Sequence, residues 1–206
     1  MISIDHVIFV VEDLDRAADV LFETHGLASV AGGRHPGHGT GNRIVPLGTA
    51  YLELMAVIDP VEAAQSPMGQ WAAATERPGL VPAALCLRTE DADEEARRLR
   101  LAAIPMTRTR PDGEVLSWRL VGVDDMFGPE RLPFFIEWEV EADSHPGRAL
   151  AEHRVIPTGI AAVDLSGNPR LIEERLGVHV LPITVTAGPP GVNSVVVATE
   201  KGEVAL

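Results

Sequence analysis

The chain has 206 residues, 46% of them hydrophobic and 23% charged, enough to bury a core and fold without covalent staples. Its formal net charge of −13 excludes a nucleic-acid backbone binder, which needs clustered Lys and Arg, and argues against attraction to an anionic membrane. A small-molecule partner is the expectation, with neither nucleic acid nor membrane involved.

The single cysteine, Cys86, excludes an internal disulfide framework and fits a reducing, cytoplasmic compartment. Its place inside an apolar strand reads as a buried structural thiol. No basic leader precedes the first apolar run, and no stretch approaches the ~20 apolar residues that span a bilayer.

Residues 2 to 11 are rich in Val and Ile and predict a strand. Asp13 or Asp15 can cap the next helix, whose apolar positions Leu14, Ala17, Ala18, Leu21 and Phe22 keep helical spacing until Gly26 stops it. The stretch from Gly32 to Asn42, with glycines and Pro36 set around His35 and His38, is turn-rich. Strands follow over Arg43 to Leu47 and Ala50 to Ile58, with Gly48-Thr49 as a hairpin turn. This first unit, residues 1–59, reads strand, helix, three strands.

Residues 60–79, with Pro60, Pro67, Pro78 and Gly79, form a connection in which Met68 to Thr75 can make a short helix. The order then recurs over residues 80–141: a strand from Pro82 to Thr89, a helix from Asp91 to Ala103, and strands over Met106 to Arg110, Val115 to Val123 and Pro133 to Glu141. Ile4-Asp5-His6-Val7 and Ala83-Ala84-Leu85-Cys86 open the two units, and each strand runs through Glu-Asp into its helix. Residues 142–206 begin again at Gly159 to Leu165, pass a helix start at Asn168-Pro169, and read as a shortened third copy of βαββ type. That copy is expected either to cover a sheet edge or to form an interface, a homodimer being possible.

Side chains alternate across a strand, so His6 shares a face with Ile8 and Val10, and Glu53 shares one with Tyr51 and Met55. Ionisable groups inside apolar strands are costly unless partnered. Tyr51-Leu52-Glu53-Leu54 matches Phe135-Ile136-Glu137-Trp138, which places a carboxylate in the last strand of each unit. A divalent metal held between the units by His6, Glu53 and Glu137 would explain all three, while satisfied polar residues at a sheet end are the alternative. His35 and His38 sit where a glycine-rich backbone can approach a ligand, and one of them, His38 above all, could act as general base together with Glu137. Asn42, His35 and Tyr51 are candidate ligand contacts. His25, His145, His153 and His179 read as surface or interface residues, and Trp71, Trp118 and Trp138 as aromatic core filling.

The Ile4-Asp5-His6-Val7 strand, the Gly32 to Asn42 segment, Tyr51-Leu52-Glu53-Leu54 and Leu132 to Trp138 together resemble the vicinal oxygen chelate superfamily, in its glyoxalase-like branch. The resemblance implies an α+β fold of paired βαβββ modules, of the glyoxalase/bleomycin-resistance/dioxygenase-like kind, curled around a metal-bearing cleft. It implies ligands from the first and last strand of each module: His6 and Glu53, then Glu137, with Ala84 in the fourth position, which cannot bind a metal. Either a divalent ion (Zn, Ni, Mn or Fe) is kept and the protein is a metal-dependent lyase or isomerase, or the ion is lost and the cleft binds a small molecule alone.

Overall fold

In the computed structural model, which describes residues 2–109 and 113–206, the chain opens with β1 (Ser3–Val10), buried on both faces after its first residue. The Asp13 carboxylate accepts from the amides of Asp15 and Arg16 and starts α1 (Leu14–His25); Gly26, left-handed at φ 71°, closes it. β2 (Val30–His35) and β3 (Thr40–Pro46) form a hairpin, and β4 (Tyr51–Val57) returns beside β3 and parallel to β1. The turn expected from Gly32 to Asn42 is therefore confined to residues 36–39; the flanks pair as strands. A Cβ on Gly32 would lie 2.1 Å from Asn42 Oδ1, so the glycine is there for close cross-strand approach.

The connection holds α2 (Pro60–Ala63) and α3 (Pro67–Thr75), each with a capping side chain, Asp59 and Ser66, followed by proline in the first turn. The second module follows as β5 (Pro82–Arg88), α4 (Ala92–Leu99), β6 (Ala103–Thr109), β7 (Val115–Val121), α5 (Val123–Phe127) and β8 (Phe134–Trp138). The strand expected to reach Val123 stops at Val121 because Gly122, at φ 78°, turns the chain into α5. Arg110, the expected end of the strand from Met106, lies outside the described residues.

Both modules join one eight-stranded sheet, in the order β2-β3-β4-β1-β5-β8-β7-β6. Its centre is the antiparallel pair β1/β5, in which His6 stands opposite Cys86 and Ile8 opposite Ala84. The pairing is its own mirror under exchange of the modules, so His6 corresponds to Ala84 and Ile8 to Cys86. Alternation sorts the side chains into two layers. Val7, Phe9, Leu52, Leu54, Leu85, Leu87 and Phe135 enter one core, with α1 and α4; Ile8, Val10, Met55, Ala84, Cys86, Phe134 and Ile136 line the other face. The sheet curls enough for Arg108 on edge strand β6 to reach Asn42 on β3, at the far end of the strand order.

Past two 3₁₀ turns (Ala142–Ser144 and Pro146–Arg148), the C-terminal section forms β9 (Pro157–Gly167), α6 (Pro169–Leu176), β10 (Ile183–Ala187), β11 (Gly191–Thr199) and β12 (Gly202–Ala205). The expected strand-helix-strand-strand order is present, with β12 added, but the pairing differs from that of the modules. β1 and β5 run parallel to the last strand of their module, whereas β9 runs parallel to the strand immediately after its helix, giving a separate sheet ordered β10-β9-β11-β12. The section packs against the back of the large sheet rather than its edge: Val163, Leu165, Ile172, Leu176, Val195 and Val197 share one core with Leu85 and Leu87. Among the described residues no helix is long and apolar enough to cross a membrane.

A shared core predicts a shared transition. Leu165→Ala and Leu85→Ala, at buried positions on the two sheets, should each lower unfolding free energy by about 2–5 kcal/mol in urea titrations, within one cooperative step. Two separate transitions, one per sheet, would contradict a common core.

Candidate functional site

The site begins with an irregularity. In the β1/β5 ladder Ile4 pairs with Leu87 and His6 with Cys86, so Asp5 is the extra residue of a β-bulge. A bulge turns two successive side chains toward one side, and here it brings the fully buried Asp5 carboxylate against the His6 ring, with Oδ1 2.7 Å from Nδ1. The other oxygen, Oδ2, accepts from Arg88 Nε at 2.9 Å and from Trp138 Nε1 at 3.0 Å, and lies 3.2 Å from His145 Nε2. Burial by itself would raise this carboxyl, but the hydrogen bonds from His145 and His6 outweigh it and hold Asp5 well below the usual carboxylate range. An ionised carboxylate only accepts, so His6 Nδ1 carries the proton and, in the neutral ring, Nε2 presents a lone pair.

That lone pair faces Glu53, whose Oε2 is 3.5 Å from His6 Nε2. His35 approaches from the β2/β3 hairpin, its Nε2 3.8 Å from Glu53 Oε1. Its Nδ1 lies 2.9 Å from Thr40 Oγ1, which is 3.8 Å from Met68 Sδ; in the Nδ1–H tautomer His35 donates to Thr40 and turns a bare Nε2 to Glu53. Two imidazoles thus have their Nδ1 atoms tied and their Nε2 atoms turned to the two oxygens of one carboxylate. Asn42 Nδ2 donates to Glu53 Oε1 at 2.6 Å, and Arg108 Nη1 donates to Asn42 Oδ1 at 3.1 Å, which fixes the amide. Tyr51 stacks on His6, with ring centroids 4.5 Å apart and 19° between planes, and burial pushes its phenol well above the ordinary value.

With a neutral His6 ring and an ionised Glu53, acceptors face acceptors here, and the spacing is close to that of two ligands sharing one ion with bonds of about 2.0–2.2 Å. The tied Nδ1 atoms supply the supporting hydrogen bonds that metal-binding imidazoles need. Asp5, His6 and Cys86 bring ligand atoms within 4.8 Å of one another, whereas His6 and His35 are joined only pairwise, through different oxygens of Glu53. That trio is poorer in donors: Asp5 is already bonded to four side chains, and burial pushes the Cys86 thiol well above its ordinary value.

Glu137 does not join this cluster. It shares the face of Phe135, away from the cleft, where it pairs with Arg119 and accepts from the amide of Ala92 at the start of α4, 3.0 Å away. The pairing explains why: Ile8 stands opposite Glu53, and its counterpart Cys86 stands opposite Phe134. Phe134 corresponds to Glu53, an odd offset of 81 positions, whereas matching Glu53 to Glu137 uses an even one and lands on the other face. The second module thus offers Ala84 and Phe134 where the first offers His6 and Glu53.

What the second module supplies is part of a wall. The cleft, about 900 Å³ with its open mouth, is lined by Trp118, Trp138, Met106 and Met126 from that module, by Met55 from β4 and by Met68 and Trp71 from α3. The three tryptophans, expected as core filling, pack with the apolar cluster on this face and line the cleft as well. His38 lines it too, with a buried Nδ1 that has no hydrogen-bond partner, as has Trp71 Nε1. His145, expected at the surface, is buried against Asp5; no spacing connects residues 140 positions apart. His25, His153 and His179 are absent from the lining. Asp5 and Arg108 had no sequence signal beyond an acid beside a histidine and a basic residue in a strand.

A family described as glyoxalase-like domain matches residues 4–179. The chain belongs to the glyoxalase-like domain family. It is accordingly a member of the vicinal oxygen chelate superfamily, with the α+β fold of paired βαβββ modules. A hypothetical protein from Staphylococcus aureus aligns with 93% of this glyoxalase-like chain and 88% of its own, at 18% identity and a TM-score of 0.67, so the shared fold extends into the C-terminal sheet. Streptomyces coelicolor methylmalonyl-CoA epimerase in complex with 2-nitronate-propionyl-CoA aligns with 67% of this chain and 95% of its own, at 19% identity and a TM-score of 0.48. Methylmalonyl-CoA epimerase from Mycobacterium tuberculosis aligns with 66% and 85%, at 22% identity and a TM-score of 0.45. No curated protein matches the chain in sequence.

The buried imidazoles set the acid response of this glyoxalase-like protein. Burial holds His35 and His145 below the ordinary value of 6.5, with Glu53 and Asp5 respectively pulling them back. The unfolded chain takes up those protons first, so stability is complete above pH 6.5 and falls as pH drops below it; Asp5 acts in the same direction below 3.8. Melting temperature should therefore decline from pH 7 to pH 5, and His145→Gln should flatten the slope. A melting temperature that rises over that interval would contradict these burials.

Proposed function

We propose that this protein binds one divalent cation, zinc, nickel, manganese or iron, on His6, Glu53 and His35, and that it isomerises or cleaves a small oxygenated molecule in the adjoining cleft. One observation carries the reading: the Nε2 atoms of two imidazoles turn to the two oxygens of one buried carboxylate, at 3.5 and 3.8 Å. Two histidines and one carboxylate form a donor set that binds divalent metals and leaves positions open. A bound ion supplies Lewis acidity, which stabilises negative charge on substrate oxygens beside it.

The chain's own residues do the rest. Asp5 keeps the proton of His6 on Nδ1, and Asn42 holds the Glu53 carboxylate in place through Oε1. Arg108, tied to Asn42, gives the substrate's anionic end a cation beside the cluster. His38, with its unbonded Nδ1 in the cleft wall, moves a proton at a carbon next to the bound oxygens. The Met and Trp wall excludes water, so developing charge is felt strongly. A cytoplasmic setting suits the single buried thiol.

Ala84 and Phe134, which bring no donor from the second module, favour a narrower reading in which the cleft binds its ligand without an ion. Calorimetric titration of untagged, chelator-treated protein with each of the four metals separates the two. One site is expected, weakened at least about 100-fold by His6→Ala or Glu53→Ala and unchanged by Glu137→Gln. Absence of binding, or equal binding by the Glu53 variant, would leave the metal-free reading in its place.

A further inference from the structure

We propose that the ligand of this cleft is a planar aromatic carboxylate, packed against the angled rings of Trp118 and Trp138 with its charge turned to Arg108. The inference deepens the reading of the cleft as the binding site and is independent of whether an ion is bound there.

The two halves of the cleft differ in kind. The first module brings the polar cluster around Glu53. The second brings a row of three neighbouring side chains, Met106, Trp118 and Trp138, placed side by side across β6, β7 and β8 by the ladder register. The Trp118 and Trp138 rings lie with centroids 5.4 Å apart and 49° between planes. Trp138 cannot turn freely, because its Nε1 donates to the buried Asp5 carboxylate. Two angled indoles, one of them fixed, offer a face for stacking and an edge-to-face partner for an apolar ring, with an adaptable thioether beside them. A sugar or peptide would leave its hydrogen-bonding groups unpaired against such a wall.

Charge narrows the class further. Among the described residues, Arg108 is the only Lys or Arg lining the cleft. Its Nη1 lies 3.1 Å from Asn42 Oδ1, so an anion meeting this guanidinium is also brought beside the Glu53 cluster. A single carboxylate matches one cation. A polyphosphorylated carrier such as a coenzyme A thioester needs several, and would also meet a chain of net charge −13.

Isothermal titration of chelator-treated protein with 2-naphthoate, its uncharged isostere 2-naphthalenemethanol and coenzyme A tests this. The acid should bind at least about tenfold more tightly than the alcohol, the discrimination of one charge-assisted contact, and coenzyme A should give no binding. Arg108→Met should erase the preference for the acid while leaving the alcohol unchanged, and Trp118→Ala should weaken both. Failure of 2-naphthoate to bind, equal affinity for acid and alcohol, a preference that survives Arg108→Met, or tighter binding of coenzyme A would each overturn the proposal. Titration of the same protein with zinc, nickel, manganese and iron keeps the two readings apart: binding of any one of them without aromatic-acid selectivity overturns the ligand class alone, and selectivity without binding of any of the four overturns the ion alone.

Discussion

Everything in the cleft depends on one desolvated carboxylate. Asp5 is fully buried at a bulge in the strand that joins the two modules, and it is tolerable there only because His6, Arg88, Trp138 and His145 surround it with donors. Those partners come from β1, β5, β8 and the turn after β8, so the charge ties both modules and the start of the C-terminal section to one point. Its effect on chemistry is directional. By accepting the hydrogen bond of His6 Nδ1–H it turns Nε2 toward Glu53, and an imidazole nitrogen facing a carboxylate becomes a site that asks for a cation or a proton.

Duplication gave two equivalent strand frameworks, yet the halves have divided the work. Where the first module carries His6 and Glu53, the second carries Ala84 and Phe134, and the acid that remains on β8, Glu137, is committed to Arg119 and the first amide of α4. The second half has kept the curvature and used its cleft face for Trp118, Trp138, Met106 and Met126. Arg108 crosses from that half to Asn42 in the other, so it both closes the curl and links the apolar wall to the polar cluster. The C-terminal sheet stands behind β5, outside the cleft, and its contribution is the apolar layer that backs the central strands.

Much of this was legible in the chain itself. The recurring strand, Glu-Asp and helix revealed the duplication, and period-two alternation grouped His6 with Ile8 and Val10 on one strand and Glu53 with Tyr51 and Met55 on another. Glu137 was misplaced because a motif match ignores parity: in a strand, one residue of misalignment exchanges the two faces, and only the pairing register reveals it. Asp5 could not be read at all, since nothing in Ile4-Asp5-His6 announces a bulge, and simple alternation would send it to the opposite face from His6. The tryptophans illustrate a different gap. An aromatic residue in a half-buried strand can fill a core and line a cleft at once, and the curl of the sheet has Trp118 and Trp138 do both.

The most direct test of the account is the tautomer of His6 in the metal-free protein at pH 8, read from long-range ¹H–¹⁵N correlations of the imidazole. The account predicts a protonated Nδ1 and an unprotonated Nε2, with Asp5→Asn shifting the ring away from that single form. A ring protonated at Nε2 in the unmodified protein would mean that the lone pair does not face Glu53, and the chemistry assigned to this cluster would have no basis.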